Sequence, residues 1–177
     1  MSIKLNLLDN EYPTKGKYHE RKVARAFIYD EDGRFAIHLI HRDDIFGNET
    51  YYETPGGGVD ENETYEEGLR REIKEEVGFE GDIDAFLGEV DDYYNLINRH
   101  NLNKFYLMKR TNKVSEPIVA SEGDSLIQKT LWLDIDEIIS LYEKQSDARV
   151  SGIVKRRELP IAKEAKRLFN LERNETK

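Results

Sequence analysis

GGVDENETYEEGLRREIKEEVGF, residues Gly57–Phe79, carries a helix with recognisable signals at both ends. Thr64-Tyr65-Glu66-Glu67 has the S/T-x-x-E form of a capping box, in which a hydroxyl and a carboxylate satisfy the first free amides. Gly78 is a left-handed terminator just past the other end. Between them Tyr65, Leu69, Ile73 and Val77 recur every four residues and form a stripe for burial. Glu72, Glu75 and Glu76 stand at i, i+3 and i+4, within an arc of about 100°. Three like charges on one face repel, unless a hard divalent cation that favours oxygen ligands reverses the sign of the argument. Gly68 lies at nearly the same angle one turn earlier, where a missing side chain is expected to let a phosphate or metal approach. Arg71, beside Glu72, is suited to hold a neighbouring carboxylate through a bidentate pair. A glutamate-rich helix taken alone is more often a solvated face. The glycine run before it, the fixed spacing and the terminal Gly-Phe weigh against that reading.

Upstream, Pro55-Gly56-Gly57-Gly58 is expected to form a sharp turn rather than a regular strand, with Gly56 offering a carbonyl oxygen to the same metal. Lys22–Tyr29 and Arg34–His41 read as a hairpin around Asp30–Gly33. That DEDG stretch lacks the further ligands of a calcium loop. Asp43–Asn48 reads as a loop and Tyr51–Thr54 as a short strand. Downstream come a strand at Ile83–Val90, a bend at Asp91–Asn103, a strand at Lys104–Met108, a loop at Val114–Asp124 and a strand at Leu126–Leu133 with Trp132. A short helix at Asp136–Glu143 and an amphipathic one at Pro160–Leu171 complete the pattern, which predicts a mixed sheet with helices on its faces.

The chain has 177 residues, the size of one ordinary domain, of which 38% are hydrophobic and 36% charged. At that length it buries well over half of its unfolded surface without crosslinks. Cysteine is absent, which excludes disulfides, thiolate metal sites and a cysteine nucleophile. The first 22 residues lack the apolar core of a signal peptide, and no apolar run reaches membrane-spanning length. A soluble, cytoplasmic protein is expected, with no membrane partner. The net charge of −9 disfavours nucleic acid, whose binders present basic surfaces. It suits a polyanion only if carboxylates hold divalent cations that meet the phosphates.

These residues match every fixed position of the Nudix box, G-x5-E-x7-R-E-U-x-E-E-x-G-U with U bulky and apolar: Gly57, Glu63, Arg71-Glu72-Ile73, Glu75-Glu76 and Gly78-Phe79. The chain therefore resembles the Nudix hydrolases, and YETPGGG resembles the family's entry into the box. The resemblance implies an α/β fold, specifically an α/β/α sandwich around a mixed sheet. Residues 22–177 would form one domain including the C-terminal helix, and 1–21 an N-terminal extension or edge strand. It implies a requirement for Mg²⁺ or Mn²⁺, with Glu72, Glu75 and Glu76 binding metal or activating water and Gly56 adding its carbonyl. Gly57 and Glu63 would support the site, Arg71 would orient a catalytic carboxylate, and Glu72 would act as general base, a role that other members give to a glutamate from a later loop. A further acidic ligand is expected before the Trp132 strand, with Glu122 first in order and Glu116 second.

The reaction so implied is attack of water on the pyrophosphate linkage of a nucleoside diphosphate joined to a group X: a nucleoside triphosphate, dinucleoside polyphosphate or nucleotide sugar. The partner is then a small nucleotide, with a homodimer left open. Pro117 stands too far past the box for the proline of ADP-ribose-specific members. Tyr93 and Tyr94 lie roughly where dinucleoside polyphosphate hydrolases carry a tyrosine, and are candidates to stack on a base. Coenzyme A motifs are not apparent, and the isomerases of this fold use a cysteine that the chain lacks. The competing readings are a non-catalytic Nudix-fold nucleotide-binding or regulatory module, which tends to lose box residues, and a metal binder without turnover.

Overall fold

The second strand sorts its side chains onto two faces, and that sorting organises the domain. In the computed structural model, which describes residues 2–14 and 16–177, strand β2 spans His19–Tyr29. Its even residues Ala24, Ala26 and Ile28 enter one apolar cluster, with Leu69, Ile73 and Val77 of helix α1 (Tyr65–Val77). Its odd residue Phe27 enters a second and larger cluster, with side chains of helices α2 (Ile135–Lys144) and α3 (Arg149–Glu175). Strand β7 (Arg99–Lys113) repeats the division, Tyr106 and Met108 facing α1 and Phe105 and Leu107 the other layer. This period of two, with both faces covered, makes the fold an α/β/α sandwich.

The sheet is mixed. Its order is β1-β6-β7-β2-β3-β4, where β1 is Ile3–Leu7, β3 Phe35–Asp44, β4 Gly47–Glu53 and β6 Phe79–Tyr94. Strand β1 lies at the edge, parallel to β6, and β2 lies parallel to β7. The β6–β7 and β3–β4 pairs are antiparallel hairpins, and β8 (Ile127–Leu133) joins β3 antiparallel. No helix of the described residues is long and apolar enough to cross a membrane.

Several local expectations are corrected by long-range pairing. The glycine run does form a short strand, β5 (Gly56–Gly58), paired antiparallel with Val23–Arg25 of β2. Gly56 adopts φ 146°, and a Cβ there would stand 2.2 Å from the Ala24 carbonyl oxygen, so only glycine lets the two backbones meet. Residues 91–103 are mostly strand, turning through one 3₁₀ turn at Asn95–Ile97 with Asn98 left-handed. Residues 43–48 are the paired ends of β3 and β4 joined by a two-residue turn at Ile45-Phe46, instead of a loop. Asp30–Gly33 is a plain hairpin turn, in which the buried Asp30 carboxylate accepts from the amides of Asp32 and Arg34.

Helix α3 does not begin at Pro160 but eleven residues earlier, at Arg149, and runs through the proline. Proline cannot donate to the carbonyl four residues back. The burial of Ile153, Val154, Ile161, Ala162, Ala165 and Phe169 offsets that loss.

Candidate active site

Helix α1 keeps the hydroxyl half of its expected capping box and its glycine terminator. The Thr64 side chain accepts from the Glu67 amide at 3.1 Å, and Gly78, at φ 82°, donates to the carbonyls of Ile73 and Lys74. With Leu69, Ile73 and Val77 turned into the sheet, Glu72 and Glu76 point toward the glycine strand and are themselves buried. Glu75, next to them, is half-buried.

The Glu76 carboxylate accepts from the Gly56 amide at 2.8 Å and faces His38 Nε2 at 3.1 Å. His38 lies within 2.8 Å of Thr130 Oγ1 through its other ring nitrogen, which ties β3 and β8 to the helix. Glu72 rests against Gly57, where a Cβ would come within 2.6 Å of its carboxyl group. Arg71 grips Glu63 in a two-pronged pair at 2.9 and 2.8 Å, donates to the Gly58 carbonyl at 2.8 Å, and reaches Glu72 at 2.9 Å. Glu63 also accepts from the Asp60 amide at 2.8 Å. Its bond to Arg71 and that backbone bond together hold its pKa down to about 2.

A third carboxylate arrives from the segment between β7 and β8. Asp124, Glu72 and Glu76 are all buried, and their nearest oxygens lie within 4.8 Å of one another. Asp124 is held in place by the Ala120 and Ser121 amides, at 3.0 and 3.1 Å. Burial pushes the Glu72 carboxyl up to about 7 against the opposing Arg71 hydrogen bond, with the Glu76 and Glu75 charges adding to the push. Burial raises Glu76 as well, against its bonds to His38 and Gly56. Crowded, desolvated carboxylates of this kind are hard oxygen donors whose mutual repulsion a divalent cation removes, so the donor set fits Mg²⁺ or Mn²⁺.

These groups line an open cleft of about 530 Å³, bordered also by Arg21, Arg25, Glu53 and Thr54. The last three join a buried ionic network from helix α3. Arg157 contacts Asp92 at 2.8 Å, Glu53 at 2.6 Å and Glu158 at 3.1 Å. Glu158 accepts from the Thr54 amide and hydroxyl and from the Tyr142 hydroxyl. Arg25 bonds Glu53 at 2.9 Å and the Thr54 carbonyl at 2.9 Å. Residues Glu53 and Thr54, immediately before the glycine strand, are thus clamped from the opposite layer.

The structure therefore brings together Gly56, Gly57, Glu63, Arg71, Glu72, Glu75 and Glu76. Other expected positions fall elsewhere. Glu122 is exposed and Asp124, two residues on, occupies the buried position; Glu116 is exposed and paired with Lys113. Gly68 serves packing, since a Cβ there would meet Val59 at 3.0 Å, and it leaves no opening to a phosphate. Tyr93 stacks on His100 at 4.2 Å, away from the cleft. Tyr94 is buried near Arg157 and borders a smaller neighbouring chamber. His38, Arg25, Arg157 and Asp124 were missed by reading along the chain. The SEGDS stretch, with two acidic residues, was the only signal for the last of these.

The family model of the NUDIX domain matches residues 19–151. Among solved structures, the chain is similar to a NUDIX hydrolase from Nitrosomonas europaea at 17% identity and a TM-score of 0.56, over 71% of this chain and 79% of that one. It is also similar to the MutT protein from Methanosarcina mazei Go1 at 19% identity and a TM-score of 0.51, over 71% of this chain and 85% of that one. At these identities the likeness speaks for the fold. No curated protein matches the chain.

Proposed function

This chain belongs to the Nudix family, and on that premise we propose that it is a divalent-cation-dependent pyrophosphohydrolase acting on a nucleoside diphosphate linked to a group X. The observation that carries the reading is the convergence of Glu72, Glu76 and Asp124 under the glycine strand, at the floor of an open cleft. Glu72, Glu76 and Asp124 would hold Mg²⁺ or Mn²⁺, with Glu75 and the Gly56 carbonyl as further ligands. Bound there, the cation supplies positive charge that neutralises the diphosphate and polarises the phosphoryl group.

Glu72 takes the proton from the attacking water as it adds to phosphorus. Arg71, fixed by Glu63 and the Gly58 carbonyl, limits where the Glu72 carboxylate can point. Gly57 gives that carboxylate room. The products are a nucleoside monophosphate and X-phosphate, or a monophosphate and pyrophosphate.

The test is incubation with nucleoside triphosphates, nucleotide sugars and dinucleoside polyphosphates in the presence of Mg²⁺, with phosphate-containing products resolved by chromatography. Cleavage of at least one class, lost in Glu72→Gln, is expected. An inert wild-type protein would sink the hydrolase reading, and full activity in Glu72→Gln would sink the assignment of the base.

A further inference from the structure

Beside the carboxylate cleft lies a smaller chamber of about 170 Å³, opening from the sheet face that turns toward α3. The two share Arg21, Arg25 and Glu53 in their walls, so a single ligand can occupy both. Strand pairing builds the chamber. Arg21 lies opposite Asn101 across the parallel β2–β7 pair, and Arg99 and Asn103 flank Asn101 at two-residue spacing on the same face.

The cations in this wall fall into two sets. Arg25, Arg42 and Arg157 are committed to Glu53, Asp44 and Asp92. Arg21 and Arg99 make no ion pair and no side-chain hydrogen bond among the described residues, although the chain carries a net charge of −9 and acidic side chains are abundant. Arg21 lies against Gly58, at the boundary of the two spaces; a Cβ on that glycine would stand 3.0 Å from its guanidinium. Desolvation in the cleft and repulsion from Arg99 and Arg25 lower the Arg21 pKa. Two like charges held together in an acidic protein have the arrangement of an anion site awaiting its counter-charge. A second observation points the same way. Asn101 is buried and donates its amide to Asp92 at 2.7 Å, but its Oδ1 has no partner, and neither has Nε of the buried Arg157. Both residues line the chamber, so its wall holds a buried acceptor and a buried donor without protein partners, beside two free charges.

We propose that this chamber, through Arg21 and Arg99, receives a negatively charged part of X, so that the enzyme prefers an X carrying additional phosphate over a neutral sugar. The inference rests on the hydrolase reading of the adjoining cleft and names its substrate class. Guanidinium groups match phosphate oxygens in geometry and charge, and remain protonated under all working conditions. Tyr94 supplies an apolar wall. The division of labour is electrostatic: carboxylates and their cation meet the scissile diphosphate, while bare arginines meet the anionic end beyond it.

Two measurements test this on the full-length chain. Calorimetric titration with inorganic tripolyphosphate in the absence of divalent cations reads the arginine chamber alone, because without metal the carboxylate cleft repels the anion. Binding is expected to the wild type and to Glu72→Gln, weakened about tenfold in Arg21→Gln and in Arg99→Gln, as loss of one charge-assisted hydrogen bond implies. Arg99→Lys is expected to recover part of it. In hydrolysis, the ratio of kcat/KM for a phosphate-rich X, such as a dinucleoside tetraphosphate, to that for a nucleotide sugar is expected to fall about tenfold in each glutamine variant. Unchanged tripolyphosphate binding in both glutamine variants, or an unchanged substrate ratio, overturns the proposal while leaving the hydrolase reading intact. If tripolyphosphate binds in an arginine-dependent way but no diphosphate is cleaved, the hydrolase reading fails and the chamber stands as an anion site.

Discussion

Replacing Gly57 by alanine separates the demands of the site from those of the fold. The backbone at Gly57 lies outside the left-handed region, so alanine introduces no dihedral strain. Its Cβ, however, would stand 2.6 Å from both Cδ and Oε2 of Glu72, where ordinary contact begins at 3.4 Å. The carboxylate must therefore retreat by about 0.8 Å (3.4 − 2.6). It is the far end of a flexible side chain, so the retreat costs little stability: less than about 1 kcal/mol, the range of an off-rotamer torsion. The consequence for chemistry is larger. A displacement of that size moves the proposed base relative to Arg71, which now holds it at 2.9 Å. A misplacement near 1 Å costs on the order of 100-fold in rate. Urea unfolding of Gly57→Ala is expected to give a midpoint close to that of the wild type, with kcat on the substrate found by the panel down about 100-fold. A variant with full kcat would refute the positioning argument. One that unfolds several kcal/mol more easily would show that Gly57 serves the backbone rather than Glu72.

Two other perturbations address different parts of the structure. Arg157→Met leaves Asp92, Glu53 and Glu158 buried without their shared cation. Loss of one partner from such a network costs about 3–5 kcal/mol, or roughly 10 °C in Tm for a chain of this size; a calorimetric shift below about 2 °C would contradict the network's role in clamping α3 to Glu53 and Thr54. Glu63 has its folded pKa depressed to about 2 from an ordinary 4.5. Its ion pair with Arg71 therefore contributes fully above pH ~4.5, and the contribution is lost as pH falls from there toward ~2. Acid titrations followed by circular dichroism should show wild type losing more stability across that window than Glu63→Gln, and parallel curves would argue against the Glu63–Arg71 pair.

What the sequence determined by itself is local. Helix α1 was legible from Thr64 to Gly78 because caps and a four-residue stripe act through hydrogen bonds within a turn or two of the chain. The box residues were legible because one helix and the glycine run just before it carry most of them. The tertiary structure decided whatever depends on which strand lies beside which. Asp124 replaces the expected Glu122 because only the path of the segment leading into β8 determines which acidic side chain turns inward. Helix α3 runs through Pro160 because the packing of its buried face outweighs one missing hydrogen bond, and Arg157-Glu158 in the middle of that face concealed its apolar period. Arg21 and Arg99 stand 78 positions apart and become neighbours only through the parallel β2–β7 pairing. Short-range hydrogen bonds and helical periodicity can be read along a chain, whereas burial and charge proximity are set by the long-range register that closes the sheet.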